Sequence, residues 1–155
     1  MRYDNITRAG IIAAVYIALT LLLAPISYGP LQCRVSEALC ILPLFSPTSV
    51  WGLFVGCLIS NILSSTLGII DIVFGSLTTL VAGYLTYKAR KKPLLAASFP
   101  VILNGLIVGG YLSYFFPEMP IWYSMITVAV GEAIAVYLIG IPFYHMTKRK
   151  LNKLF

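Results

Sequence analysis

Apolar residues run through this chain in long stretches separated by short connections rich in charge, proline and glycine. Six helices are predicted, at about 6–24, 31–45, 47–63, 69–87, 94–116 and 121–144. Pro25 stops the first, and Gly29 with Pro30 marks the loop after it, since neither continues a helix well. The second, with Pro43 near its end, would reach only about 22 Å at about 1.5 Å per residue. A hydrocarbon core is about 30 Å thick, so this helix is expected to be tilted, buried between neighbours or partly loop. A basic connection, 88–93, precedes the fifth helix, and 117–120 separates it from the sixth, which runs into the tail 148–155.

The last two helices are long and apolar enough to cross a membrane, yet each holds a strongly polar group inside, Asn104 and Glu132. An intramembrane carboxylate costs on the order of several kcal/mol unless it meets a partner, water or a ligand. Glu132 is the best single candidate for function, because Arg34 is the one other helical residue able to neutralise it. Asn104 is either part of the same site or a hydrogen-bonding link between helices. Arg34 and Glu37, spaced i, i+3, share a helix face and either pair with each other or form part of a pocket wall. Asp71, in the first turn of its helix, is either stabilised by the helix dipole or contacts a ligand. With Asn61 in the outer turn of the third helix, these groups gather in one half of the bundle, predicting a cup open at that end.

Composition agrees with an all-α, polytopic membrane protein forming one domain over residues 1–155. Of these residues 59% are hydrophobic and 10% charged, against about 25% charged in soluble domains. A net charge of +6 is compatible with nucleic-acid binding, but the basic residues form no face and lie in short connections. Six crossings bring the two termini and the 88–92 connection to one side, and with them ten of the eleven basic residues, all but Arg34. The positive-inside rule makes that side the cytoplasm. A five-helix arrangement, with the second helix re-entrant, would split the basic clusters. The first apolar run resembles a signal sequence, but the five runs after it favour a retained helix. Trp51, Tyr84 and Tyr87 at the inner level, and Tyr28, Tyr114, Trp122 and Tyr123 at the outer, fit aromatic belts.

Cys33, Cys40 and Cys57 have no metal-ligand spacing, so neither a metal site nor a disulfide framework is predicted. No GxxxxGK[ST], GxSxG or HExxH occurs, which leaves no means of using ATP within this chain and no catalytic constellation. Gly52 with Gly56, and Gly105 with Gly109, read as close helix packing. Ala9, Ala13, Ala14 and Ala18 form two overlapping AxxxA pairs, a smooth stripe for internal packing or for a second membrane protein. Two function classes remain: a substrate-binding uptake component, and a self-contained proton-coupled or channel-like protein in which Glu132 titrates.

The stretch Ala14-Val15-Tyr16-Ile17-Ala18-Leu19-Thr20, the six-helix plan and the absence of ATPase motifs resemble the substrate-binding S components of energy-coupling factor (ECF) transporters. Gly29-Pro30-Leu31-Gln32-Cys33-Arg34-Val35-Ser36-Glu37-Ala38-Leu39, Ser60-Asn61, Gly68-Ile69-Ile70-Asp71-Ile72-Val73-Phe74-Gly75 and Leu103-Asn104-Gly105-Leu106-Ile107-Val108-Gly109 are similar to the QueT family of queuosine-precursor S components. Cys33 departs from the aromatic residue expected there.

The resemblance implies a multi-pass protein of a prokaryotic cell membrane that binds a 7-deazaguanine from outside. It also implies docking on a transmembrane coupling protein with two cytoplasmic ATPases, which consume the ATP, through Ala14 and Ala18. Ala9 and Ala13 offer an alternative register. Recognition would fall to Glu37, Asp71, Asn104 and Glu132, with Arg34, Gln32 and Asn61 in support. A carboxylate suits the N1–H and exocyclic amine of a guanine-like edge, and an Asn amide or Arg suits its O6.

Overall fold

The computed structural model describes residues 3–27, 34–64 and 67–154, which include no strand. Gln32, Cys33 and Tyr28 lie outside the described residues. Six long helical segments follow one another: α1 (Tyr3–Leu22), α2 (Val35–Leu44), α3 (Thr48–Ser64), α4 (69–88), α5 (93–115) and α6 (121–154), with one further helical turn, Ala24–Ser27, that continues past Pro25 after α1. They reproduce the predicted segments to within a few residues, except that α2 is shorter and α6 continues through the basic tail. Three are long and apolar enough to cross a membrane: Asp4–Leu22, Pro93–Phe115 and Ile121–Lys148. The apolar α2 and α3 fall below that length.

The short second helix is an axle. It packs against α1, α3, α4 and α6, and Ser36, Glu37 and every residue from Cys40 to Leu44 are buried. It is wound as a 3-10 helix over ten residues, so at about 2.0 Å per residue it reaches about 20 Å. That is longer than an α-helix of equal residue count, and it lets a short segment serve as the centre of a bundle of longer rods. Around it α1 packs on α3, α3 on α4, α4 on α5 and α5 on α6. The ring is loosest between α6 and α1, where Val35, Ala38 and Leu39 of α2 floor an apolar cleft between Leu19 and Phe143.

Small residues set these distances. A Cβ on Gly52 would come within 2.8 Å of the Ala9 carbonyl oxygen, and one on Gly56 within 2.8 Å of Tyr16 Cβ and 3.2 Å of Ala13 Cα. One alanine pair, Ala9 and Ala13, therefore faces α3, and it seats against the first glycine pair. Ala14 and Ala18 are turned outward and exposed. The second glycine pair closes α5 on α6: a Cβ on Gly105 would meet Ala129 Cβ at 2.9 Å, and one on Gly109 would meet Met125 Cα at 2.6 Å. Gly68, at φ 64°, makes the left-handed turn that starts α4.

Overpacking a glycine contact against backbone costs about 1–3 kcal/mol or more. Gly109→Ala is therefore expected to lower the melting temperature in detergent clearly. Gly10→Ala, whose Cβ meets nothing within 4 Å, is expected to leave it unchanged or raise it slightly, and denaturation followed by circular dichroism compares the two.

Candidate functional site

Three carboxylates and one guanidinium are buried in the interior: Glu37, Asp71, Glu132 and Arg34 are at most 6% exposed. Each carboxylate has a different solution. Asp71 takes the ion pair, with Arg34 Nη2 at 3.0 Å from Oδ2 and 3.3 Å from Oδ1. Tyr111 donates its hydroxyl to Oδ1 of the same carboxylate, and Asn61 Nδ2 donates to the Asp71 backbone carbonyl at 2.9 Å. The ion pair found for Arg34, the residue immediately before α2, thus reaches across to α4 and not to Glu37. Asp71 is therefore more than a helix-dipole cap, because it anchors the arginine.

Glu37 is held by neutral donors. The Tyr16 hydroxyl donates to its Oε1, and the Cys40 thiol, at 2.7 Å, donates to Oε2. One turn along α1, the Thr20 and Ser36 hydroxyls are hydrogen-bonded at 2.7 Å. Two side-chain bonds therefore tie α1 to the α2 segment that carries Arg34 and Glu37.

Glu132 is different. Its Oε1, and Nδ2 of the neighbouring Asn104, are buried with no hydrogen-bond partner among the described residues. Arg34, Glu37, Asn104 and Glu132, with Val108 and Val128, line one cavity. Of the seven site residues expected, four come together here. Asn61 and Asp71 stand behind Arg34, and Gln32 lies outside the described residues.

Among the described residues the polar compartment is much smaller than the expected cup. The cavity leaves about 10 Å³ to the centre of a water-sized sphere, about the room for one water. The reason is local packing: Leu67, Val108, Leu112 and Val128 form an apolar cluster, with Tyr111, Phe115 and Phe116 against it. It runs from the cavity wall toward the turn between α5 and α6.

Backbone irregularity coincides with the polar positions. Asp71 begins a π-helical stretch, Asp71–Gly75, Asn104 begins another, Asn104–Val108, and Glu132 lies two residues before a third, Ile134–Gly140. Such insertions shift which face a side chain occupies and recur at functional sites. Tyr16 and Tyr111 were not singled out from the sequence as site residues. The available signal was depth, since Tyr16 lies mid-helix, away from either aromatic belt, and is 0% exposed.

Three helices of membrane-crossing length around a buried polar compartment define the class of a helical membrane protein with a polar interior. Residues 6–149 match the QueT transporter family, and the chain belongs to that family. Over 81 residues it is 46% identical to the protein described as "Queuosine precursor transporter QueT" of Lactococcus lactis subsp. cremoris (strain MG1363), a match over 51% of this chain and 46% of that protein. The chain thus spans about half the length of the curated relative it matches. No solved structure matches it.

Removing one partner of a buried ion pair typically costs about 3–5 kcal/mol. Arg34→Met is expected to destabilise the purified protein by about that amount, since it leaves Asp71 without its cation. Glu132→Gln, which removes a carboxyl group lacking a cationic partner, is expected to leave stability unchanged or higher; chemical denaturation in detergent separates the two roles.

Proposed function

We propose that this chain is the substrate-binding S component of an ECF-type importer, capturing a queuosine precursor of the 7-deazaguanine class outside the cell. The observation that carries this reading is the pair of buried atoms without a hydrogen bond, Glu132 Oε1 and Asn104 Nδ2, on residues that line one cavity with Glu37 and Arg34. Family membership and the name of the Lactococcus relative support the same substrate class.

In this reading Glu132 accepts from N1–H and the exocyclic amine of the guanine-like edge, and Asn104 donates to O6. Glu37 lies across the cavity, where it would receive the ammonium of a 7-aminomethyl group. Arg34, held by Asp71, supports the ring. Binding requires α5 and α6 to part from α2, because a bicyclic ligand far exceeds the closed cavity.

Six crossings with cytoplasmic termini follow from the basic connections, and α2, buried among the others, counts as one of them. Ala14 and Ala18 lie on the exposed face of α1 beside the cleft floored by α2. That surface would receive a transmembrane coupling protein, with two cytoplasmic ATPases supplying the energy.

A thermal-shift series in detergent tests recognition: 7-aminomethyl-7-deazaguanine is expected to stabilise the protein, and guanine or the 7-cyano analogue less. Hydrogen bonds to charged groups contribute about 1.5–3 kcal/mol, so the cationic ligand is expected to bind about tenfold or more tightly than the neutral one. Glu132→Gln should abolish the shift, and equal binding of both analogues would count against Glu37 as the ammonium partner. Uptake by cells lacking any coupling module, abolished by collapsing the proton gradient, would overturn the S-component assignment.

A further inference from the structure

An apolar groove on the outside of the bundle lies between the first turn of α3 and the last turns of α4, and it shares no lining residue with the polar cavity. It is lined by Pro47, Val50, Trp51, Val81, Tyr84 and Tyr87 and encloses about 470 Å³. Trp51 and Tyr84 are half exposed, at 50% and 51%. The groove runs directly into the basic connection after α4.

Two cations rest on its aromatic wall. Lys88 Nζ lies 5.3 Å from the centroid of the Tyr84 ring, and Arg90 Cζ lies 4.3 Å from that of Tyr87. Arg90 Nη1 also donates to the Tyr87 carbonyl at 3.2 Å, which fixes the guanidinium beside the groove. Both side chains are exposed, as are Lys91 and Lys92 after them. Among the described residues no carboxylate pairs with Lys88 or Arg90, since the salt bridge present is Arg34–Asp71. The cluster therefore presents positive charge that the protein itself leaves unneutralised.

An apolar trough ending in fixed, unneutralised cations has the polarity of an amphiphile with an acyl chain and an anionic head. Aromatic side chains at the mouth are what interfacial depth favours, and basic residues beside helices at that depth favour anionic headgroups. The groove between α5 and α6, lined by Val101, Ile102, Leu106, Met125 and Ile126, has no cation in its lining and makes no such distinction among lipids.

We propose that the α3–α4 groove is a site for an anionic phospholipid, its acyl chain against Trp51 and Val81 and its phosphate at Lys88 and Arg90. This site is independent of the polar cavity and of the substrate it takes.

Trp51 is a reporter built into the groove, and Trp122 is the second of the chain's 2 tryptophans. The Trp122→Phe protein is reconstituted in phosphatidylcholine vesicles containing an equal fraction of either brominated phosphatidylglycerol or brominated phosphatidylcholine. Quenching of Trp51 by the anionic lipid is expected to be at least about twofold stronger, and about 1 M salt is expected to remove the excess by screening. Lys88→Gln with Arg90→Gln should reduce quenching to the phosphatidylcholine level. Lys88→Arg with Arg90→Lys should retain the preference, and unchanged far-UV circular dichroism verifies that each variant is folded. Equal quenching by the two lipids, a preference that survives the double Gln variant, or no quenching by either lipid would overturn the proposal.

Discussion

The bundle is organised by a shortage of positive charge. Glu37, Asp71 and Glu132 are buried, and Arg34 is the buried cation available to them among the described residues. Taking an ion from water into a low-dielectric interior costs several kcal/mol even after relaxation. One guanidinium cannot offset three such costs. The structure resolves this by ranking the carboxylates: Asp71 receives the arginine and a tyrosine, Glu37 receives a tyrosine and a thiol, and Glu132 retains an oxygen without a partner.

That ranking depends on where the helices let side chains point. Arg34 stands immediately before the 3-10 axle and reaches sideways to α4, while Glu37 and Cys40, three residues apart, share the same side of the tight winding. The π-helical stretches at Asp71 and Asn104 alter the regular face of α4 and α5 where those side chains turn inward. Glycine contacts at Gly56 and Gly109 hold the outer rods close enough for these bonds to form. Close packing of small residues and burial of polar ones are thus coupled. Widening the α1–α3 contact at Gly56 would displace Tyr16, whose Cβ sits against that glycine and whose hydroxyl holds Glu37.

Much of this was legible in the residue order. Long apolar runs mark six helices because a bilayer-scale segment has a length and composition that little else shares, and intramembrane polar residues are few enough that Arg34, Glu37, Asn104 and Glu132 stand out singly. Which of them meet was less legible. Spacing favoured Arg34 with Glu37 on one helix, but the partner found is Asp71, 37 residues away, a contact set by helix packing rather than by local periodicity. The AxxxA stripe had the same ambiguity. Two registers are equivalent in sequence, and they separate only when Gly52 and Gly56 admit Ala9 and Ala13 and leave Ala14 and Ala18 exposed. The small size of the cavity was not legible at all, because polar residues reveal where a compartment lies but not how closely apolar neighbours such as Val108 and Val128 pack around it.

The small size of the compartment gives the unpartnered groups their physical meaning. In a wide, wetted cup, Glu132 and Asn104 would be satisfied by water and would discriminate weakly between ligands. In a compartment with room for about one water, whatever enters must replace solvent with matching donors and acceptors. A buried donor or acceptor left unmade costs about 1–3 kcal/mol, more if charged. A site of this kind rejects an analogue lacking one hydrogen-bonding group far more strongly than an apolar pocket rejects one lacking a methylene. In the reading proposed above, the interior would derive selectivity from the same shortage of partners that makes it costly to bury: the carboxyl group that Arg34 does not reach is the group left to distinguish a ligand.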